Sequence, residues 1–193
     1  MAIPFIDLSN AVKWFSGFGS GAPGDPYGLT VGGNLISVAV EITRPSDTSP
    51  YGIGDVISDS VSATTMQAIA NAARADGGSG YIVGMRASTD KKNSVQQLRI
   101  HFFNTNGATI SVDNAAWQDK YADAGKRIAY YDLPAMTTAA DTSNSDMSRS
   151  VDMTMRIPYT CVGTSLYFVP ETLTAFTPNS GQKFTFIFFL DRN

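Results

Sequence analysis

An alternation of apolar and polar residues with a period of two is the feature that most limits what this chain can fold into. Between residues 35 and 43 every second residue is apolar: Ile36, Val38, Val40 and Ile42. Successive side chains of an extended strand point to opposite faces, so this pattern predicts a strand with one buried face that ends before Pro45. Two later segments, 98–102 and 151–157, show the same alternation and predict further half-buried strands.

Other apolar segments add to the β signal. Residues 81–85 and 184–190 are almost continuously apolar, which predicts strands covered on both faces by another sheet or by a neighbouring molecule. Segments 53–57, 128–133 and 160–169 are further strand candidates, separated by residues typical of turns. About eight strands in one chain predict a mainly β fold, an antiparallel β-sandwich or jelly roll.

Three segments do not fit a simple strand pattern. Asp113 can act as an N-cap and Gly125 as a stop signal, so we expect one short helix over residues 113–124. Residues 65–75 are rich in alanine but have no continuous apolar stripe, and their structure is left open by the pattern. Residues 137–150 are mostly small and polar, which predicts a surface loop.

The first 34 residues differ in composition from the rest. They carry three charged residues, and seven glycines and two prolines lie between positions 17 and 33. Such a segment cannot build a core of its own, yet it is too apolar for a solvated tail. We therefore divide the chain into an extended N-terminal arm, residues 1–34, and a single β-domain, residues 35–193. The arm would pack on its own domain, on a sister subunit or on a larger assembly, and its candidate interface residues are Phe5, Trp14, Phe15 and Phe18.

Composition narrows the classes of partner. The chain of 193 residues has 14 Lys and Arg, 17 Asp and Glu, and a net charge of −3, without a basic run. Nucleic acids and anionic membranes need clustered positive charge, so neither is expected as a partner. No stretch reaches the roughly 18 apolar residues of a membrane span, and the N-terminus lacks the basic region of a signal peptide. We expect a soluble protein made in the cytoplasm.

Catalytic and metal-binding patterns are weak. The sole histidine, His101, lies within a predicted strand, and the sole cysteine, Cys161, lies in an apolar stretch where free thiols are usually buried. A zinc site needs about four Cys or His ligands, and the chain has two such residues. Gly77 to Gly80 leads into a strand rather than a helix, which favours a turn over a phosphate-binding loop. We expect no enzyme activity, no cofactor and no metal, although two carboxylates could still converge in space.

Several strings of residues together resemble a widespread family of small structural proteins of tailed bacteriophages. They follow one another in the order of that family: 40–48, 54–57, 77–82, 99–103, 113–117, 121–124, 127–128 and 176–181. The resemblance covers residue 36 to the C-terminus, and it implies a strand at 67–74 before the glycine-rich turn. The chain departs from the family pattern in its longer, more apolar arm and in Trp117, where Phe or Tyr is commoner.

The resemblance implies a non-enzymatic virion protein, foremost a capsid decoration or cement protein on the outer head surface. Its implied partners are the major capsid protein and further copies of itself, with a trimer favoured, and no catalytic residues are carried over. One alternative is a tail, baseplate or head-fibre component that binds a host glycan. Another is a tail-associated glycan hydrolase, which would need two carboxylates about 5 to 10 Å apart in a cleft.

Overall fold

Two antiparallel sheets build the fold of the chain. It is seen in a computed structural model that describes residues 35–138, 146–150 and 152–192. The predicted arm, residues 1–34, and the middle of the predicted loop, residues 139–145, lie outside these ranges. The strands are β1 Leu35–Thr43, β2 Gln67–Ile69, β3 Ser79–Thr89, β4 Leu98–Phe103, β5 Arg127–Asp132, β6 Thr137–Thr138, β7 Ser148–Arg149, β8 Met153–Thr160, β9 Leu166–Thr172 and β10 Lys183–Arg192.

Among the described residues, the larger sheet has six strands and the smaller sheet has four. The six-stranded sheet has the order β1-β10-β3-β7-β6, and β8 also pairs with β3. The four-stranded sheet has the order β2-β9-β4-β5. The mainly β antiparallel sandwich predicted from the alternation is confirmed, with ten strands among the described residues instead of about eight.

The core lies between the inner faces of the two sheets. Phe186 and Phe188 of β10 contact Phe168 of β9, with ring centroids 5.2 and 4.8 Å apart. Phe102 of β4 lies edge-on to Phe188 at 5.9 Å. All four rings are fully buried. Alternate residues of β4, β9 and β10 point inward and supply these rings, so each of these strands turns one face toward the other sheet.

The predicted helix at 113–124 is wrong except for one turn. Only Tyr121–Asp123 is helical, as a 3-10 turn. Asn114 adopts a left-handed φ of 57°, which interrupts a helix. The backbone amide of Trp117 donates to the carbonyl of Gly54 at 2.7 Å, so this segment pairs with a neighbouring loop. Tertiary pairing therefore overrides the local capping signal.

Several predicted strands are shorter than the sequence pattern indicates. Segment 53–57 forms only isolated bridges, from Asp55 to Ala116 and from Val56 to Glu171. The strand expected at 67–74 ends at Ile69, and Asn71 turns the chain with a φ of 55°. The candidate at 160–169 is divided between the end of β8 and the start of β9. The loop expected at 137–150 begins and ends in the paired strands β6 and β7.

Candidate functional site

The arm residues proposed as interface anchors, Phe5, Trp14, Phe15 and Phe18, lie outside the described residues. The site is therefore built from the outer faces of the two sheets and from the loops that cover them.

His101 lies on the outer face of the four-stranded sheet and is 3% exposed. Its Nε2 is 2.7 Å from Oε2 of Glu171 on the neighbouring strand β9. The ring of Trp117 stacks on the imidazole at 4.0 Å between centroids and 8° between planes. The carboxylate and the indole together hold the ring in one orientation. This arrangement makes His101 part of the packing between the sheet and its covering loop.

A second, smaller apolar cluster explains why His101 is buried on an outer face. Its buried members come from two loops and from the outer side of the sheet: Val56, Met66, Phe103, Ala108, Ile110 and Val169. Trp117 and Tyr167 pack against this cluster. The loops between β1 and β2 and between β4 and β5 thus cover much of the outer face of the four-stranded sheet.

Two arginines on this face of the four-stranded sheet stack on aromatic rings. The guanidinium of Arg99 lies 4.5 Å from the ring centroid of Tyr130 and donates to both oxygens of Asp132, at 2.6 and 2.9 Å. This pairing lowers the pKa of Asp132 from its usual 3.8. The guanidinium of Arg127 lies 5.4 Å from the ring of Trp117. Planar cations stacked on aromatic rings form a rigid, mixed surface.

A buried ionic cluster connects the end of β1 to the loops that cover the four-stranded sheet. Arg44, at the end of β1, and Asp113 have fully buried side chains, with Nη2 3.0 Å from Oδ2. The other carboxylate oxygen accepts from the Tyr51 hydroxyl at 2.6 Å and from the Ser58 amide at 2.8 Å. Arg44 Nε also donates to the Tyr51 hydroxyl. Burial and the nearby carboxylate hold the pKa of Tyr51 well above its usual 10.

The outer face of the six-stranded sheet has an apolar centre, formed by Tyr81, Ile187 and Phe189. These side chains are half-buried and belong to neither core cluster. Phe189 lies opposite Gly84, where an added Cβ would be 3.2 Å from its ring. Strand β10 was predicted to be covered on both faces, but the side chains on its outer face are only half-buried.

Ion pairs surround this apolar centre. Arg86 pairs with Asp152 at 3.2 Å, and Lys183 pairs with Glu41 at 2.9 Å. The guanidinium of Arg156 lies 4.4 Å from the ring centroid of Tyr81. An apolar centre within a polar rim is the usual composition of a protein-binding surface.

Cys161 is 2% exposed and belongs to the main core cluster. Burial raises the pKa of its thiol to about 11. The thiol is protonated near neutral pH, so it lacks the thiolate needed for nucleophilic chemistry.

Sequence reasoning missed the ionic cluster because its members are far apart in the chain. Asp113 was assigned to a helix cap, whereas its carboxylate contacts Arg44, 69 positions away. Arg44, Tyr51 and Asp113 do lie in or beside the strings that carry the phage resemblance, and that was the available signal. Glu171 gave no signal of its own, since only the pairing of β4 with β9 brings it to His101.

The described part of the chain contains no group of three or more His, Cys, Asp or Glu side chains arranged to hold a metal. Within the same residue ranges, no helix has the length and apolarity needed to cross a membrane. Comparison with known protein families finds no family model that matches the chain. A search of curated proteins likewise gives no significant match.

Proposed function

We propose that this chain is a non-enzymatic structural protein of a tailed-bacteriophage virion, which binds the outer surface of the head as a decoration or cement protein. The observation that carries the proposal is the outer face of the six-stranded sheet, with Tyr81, Ile187 and Phe189 at its centre and ion pairs at its rim. Such a face can dock on a shell of capsid subunits by shape and apolar contact.

The edge of this sheet offers a second means of contact. Among the described strands, β1 is the terminal one in the strand order, is nine residues long and pairs with β10 on one side. An edge strand presents backbone donors and acceptors to which an extended segment of another chain can add. The arm leads directly into β1, so an arm from a sister subunit is suited to this role.

The proposed partners are the major capsid protein and further copies of this chain, as a trimer. A trimer presents three docking faces at once, so a modest contact from each protomer gives strong binding through effective concentration. Light scattering at micromolar concentration tests the oligomer. A monomer both in solution and on the particle would contradict it.

A tail, baseplate or head-fibre component that binds a host glycan is the second candidate. The observation that favours it is the ring of Tyr121, whose side chain has an exposed fraction of 96%. Exposed aromatic rings beside charged groups suit the stacking of sugar rings.

The position of the chain in the particle separates the two candidates. An electron-microscopy reconstruction of the virion that contains this chain should show it on the outer head surface, above contacts between capsid subunits. Density confined to the tail, baseplate or fibres would reject decoration and favour the second candidate.

A further inference from the structure

The side chain of Tyr121 is almost completely exposed, at 96%, yet it lies on a well-anchored turn. The amide of Ala124 donates to the Tyr121 carbonyl at 3.1 Å. Asp123, in the same turn, accepts from the Thr109 amide and from Lys126 Nζ, both at 2.7 Å. The anchored turn fixes the backbone of Tyr121, so a ligand that stacks on the ring does not have to order the backbone as well.

Tyr121 lines an open depression of about 370 Å³. The other lining residues are Asp119, Lys120, Ala124, Arg127 and Ile128. This volume lies within the range of about 300–1,000 Å³ that is usual for small-ligand sites. The lining combines one exposed ring with hydrogen-bonding groups, so it suits a ligand that has both an apolar face and many hydroxyls.

The charges of the depression favour an anionic ligand. Arg127 Nη1 donates to Oδ2 of Asp119 at 2.8 Å and Nη2 lies 2.6 Å from Oδ1, which neutralises this pair and fixes its geometry. The Lys120 carbonyl accepts from the Asp123 amide at 3.0 Å, whereas the Lys120 side chain forms no salt bridge or hydrogen bond with the described residues. The lining thus has two cations against one carboxylate, and Lys120 supplies the unpaired positive charge.

We propose that this depression binds an acidic sugar, a pyranose ring that carries a carboxylate. The apolar face of the ring stacks on Tyr121, and its hydroxyls bond to the Asp119–Arg127 pair. The sugar carboxylate approaches Lys120. A simple anion would make no use of the exposed ring, and a purely apolar ligand would leave the charged lining without partners. The site lies on the 3-10 turn and β5, so it is independent of the sheet face proposed to dock on capsids.

Saturation-transfer NMR and a chemical-shift titration test the site with methyl β-D-glucuronide, the matched neutral methyl β-D-glucoside, and acetate. The wild-type chain should transfer saturation to the ring protons of the glucuronide and bind it more tightly than the glucoside or acetate. Tyr121→Ala should weaken glucuronide binding by about tenfold or more, whereas Tyr121→Phe should retain it. Lys120→Gln should weaken glucuronide binding roughly fivefold and leave glucoside binding unchanged.

Tyr130→Ala is the matched control, because Tyr130 is an exposed tyrosine outside the depression. It should leave glucuronide binding unchanged, and circular dichroism should show all variants folded. The proposal is overturned if acetate binds as well as the glucuronide, if Tyr121→Ala binds like the wild type, or if no sugar binds. The first result would indicate a charge effect alone.

Discussion

The contact between Arg44 and Asp113 is the clearest case of one residue pair organising distant parts of the chain. Its two charges are fully buried, so removing Arg44 leaves Asp113 buried without an opposite charge. The Tyr51 hydroxyl completes the cluster by bonding to the same carboxylate. The cluster ties the end of β1 to the loop that positions Trp117 over His101.

Arg44→Met should lower the free energy of unfolding by about 3–5 kcal/mol, because Asp113 would remain buried and unpaired. Arg86→Met is the matched control, since Arg86 pairs with Asp152 at the surface, and it should cost less than about 1 kcal/mol. Urea unfolding of the two variants measures the difference. Equal small losses would show that the buried pair does not stabilise the fold.

Cys161 should be inert in the folded protein. Burial raises the pKa of its thiol to about 11, so the thiolate is scarce at pH 8 and reagents cannot reach it. We expect no reaction with a disulfide reagent such as DTNB in the native state, and reaction of one thiol per chain in guanidinium. Rapid labelling of the native protein would disprove the buried, protonated state.

At the scale of elements, glycines allow close approach between strands β3, β8 and β10. A Cβ on Gly80 would lie 2.5 Å from Tyr159 Oη and closer still to the carbonyl oxygen of Asp191. The Tyr159 hydroxyl is itself fixed by donation to the Ala72 carbonyl at 2.6 Å. No side chain fits at Gly80 unless backbone moves.

Gly80→Ala should therefore destabilise the chain by about 2 kcal/mol or more, as expected for overpacking against backbone. At Gly125 an added Cβ meets nothing within 4 Å. Gly125→Ala should be neutral or stabilise by up to about 1 kcal/mol. Thermal unfolding of both variants tests this contrast, and similar effects at the two positions would refute it.

The sequence allowed the strands to be predicted wherever alternation decides which side is buried. β1, β4 and β8 were found for this reason, whereas β10 was found from its nearly continuous apolar run, and the inner residues of these strands form the core or pack against it. The loops could not be predicted in the same way. Trp117 covers His101 only because the segment around Asn114 pairs with residues 54–56, a long-range contact that no local pattern reports.

The candidate sites were predictable only in part. Tyr121 lies in one of the strings that resemble the phage family, but the sequence assigned it no role. Its part in the proposed site depends on its exposure to solvent, which the sequence does not reveal. Strand β10 was predicted to be covered on both faces. In the structure, Ile187 and Phe189 on its outer face are only half-buried. Which of two faces of an apolar strand remains available depends on how the second sheet packs.

At the scale of the whole molecule, the arm can be separated from the β-domain by experiment. Every segment whose sequence predicts a core strand begins at residue 35 or later. Deletion of residues 1–34 should leave a cooperatively unfolding domain with a melting temperature within a few degrees of the full chain. Binding to undecorated heads should fall sharply, because Trp14, Phe15 and Phe18 are the expected anchors.

Calorimetry and binding of the truncated chain distinguish this role from a structural one. If truncation lowers the melting temperature steeply while the folded fraction binds normally, the arm belongs to the core and the face of the six-stranded sheet docks without it.

The central claim is that the outer face of the six-stranded sheet docks on a capsid. The most direct test is the binding of purified chain to undecorated heads, measured by co-sedimentation, for the wild type and for the double variant Ile187→Thr, Phe189→Thr. Threonine keeps the β propensity of these positions and removes their apolar contact. Val95→Thr, at an exposed valine outside this face, is the control. We predict that the double variant binds at least about tenfold more weakly while the control binds like the wild type. Unchanged binding of a folded double variant would contradict the claim.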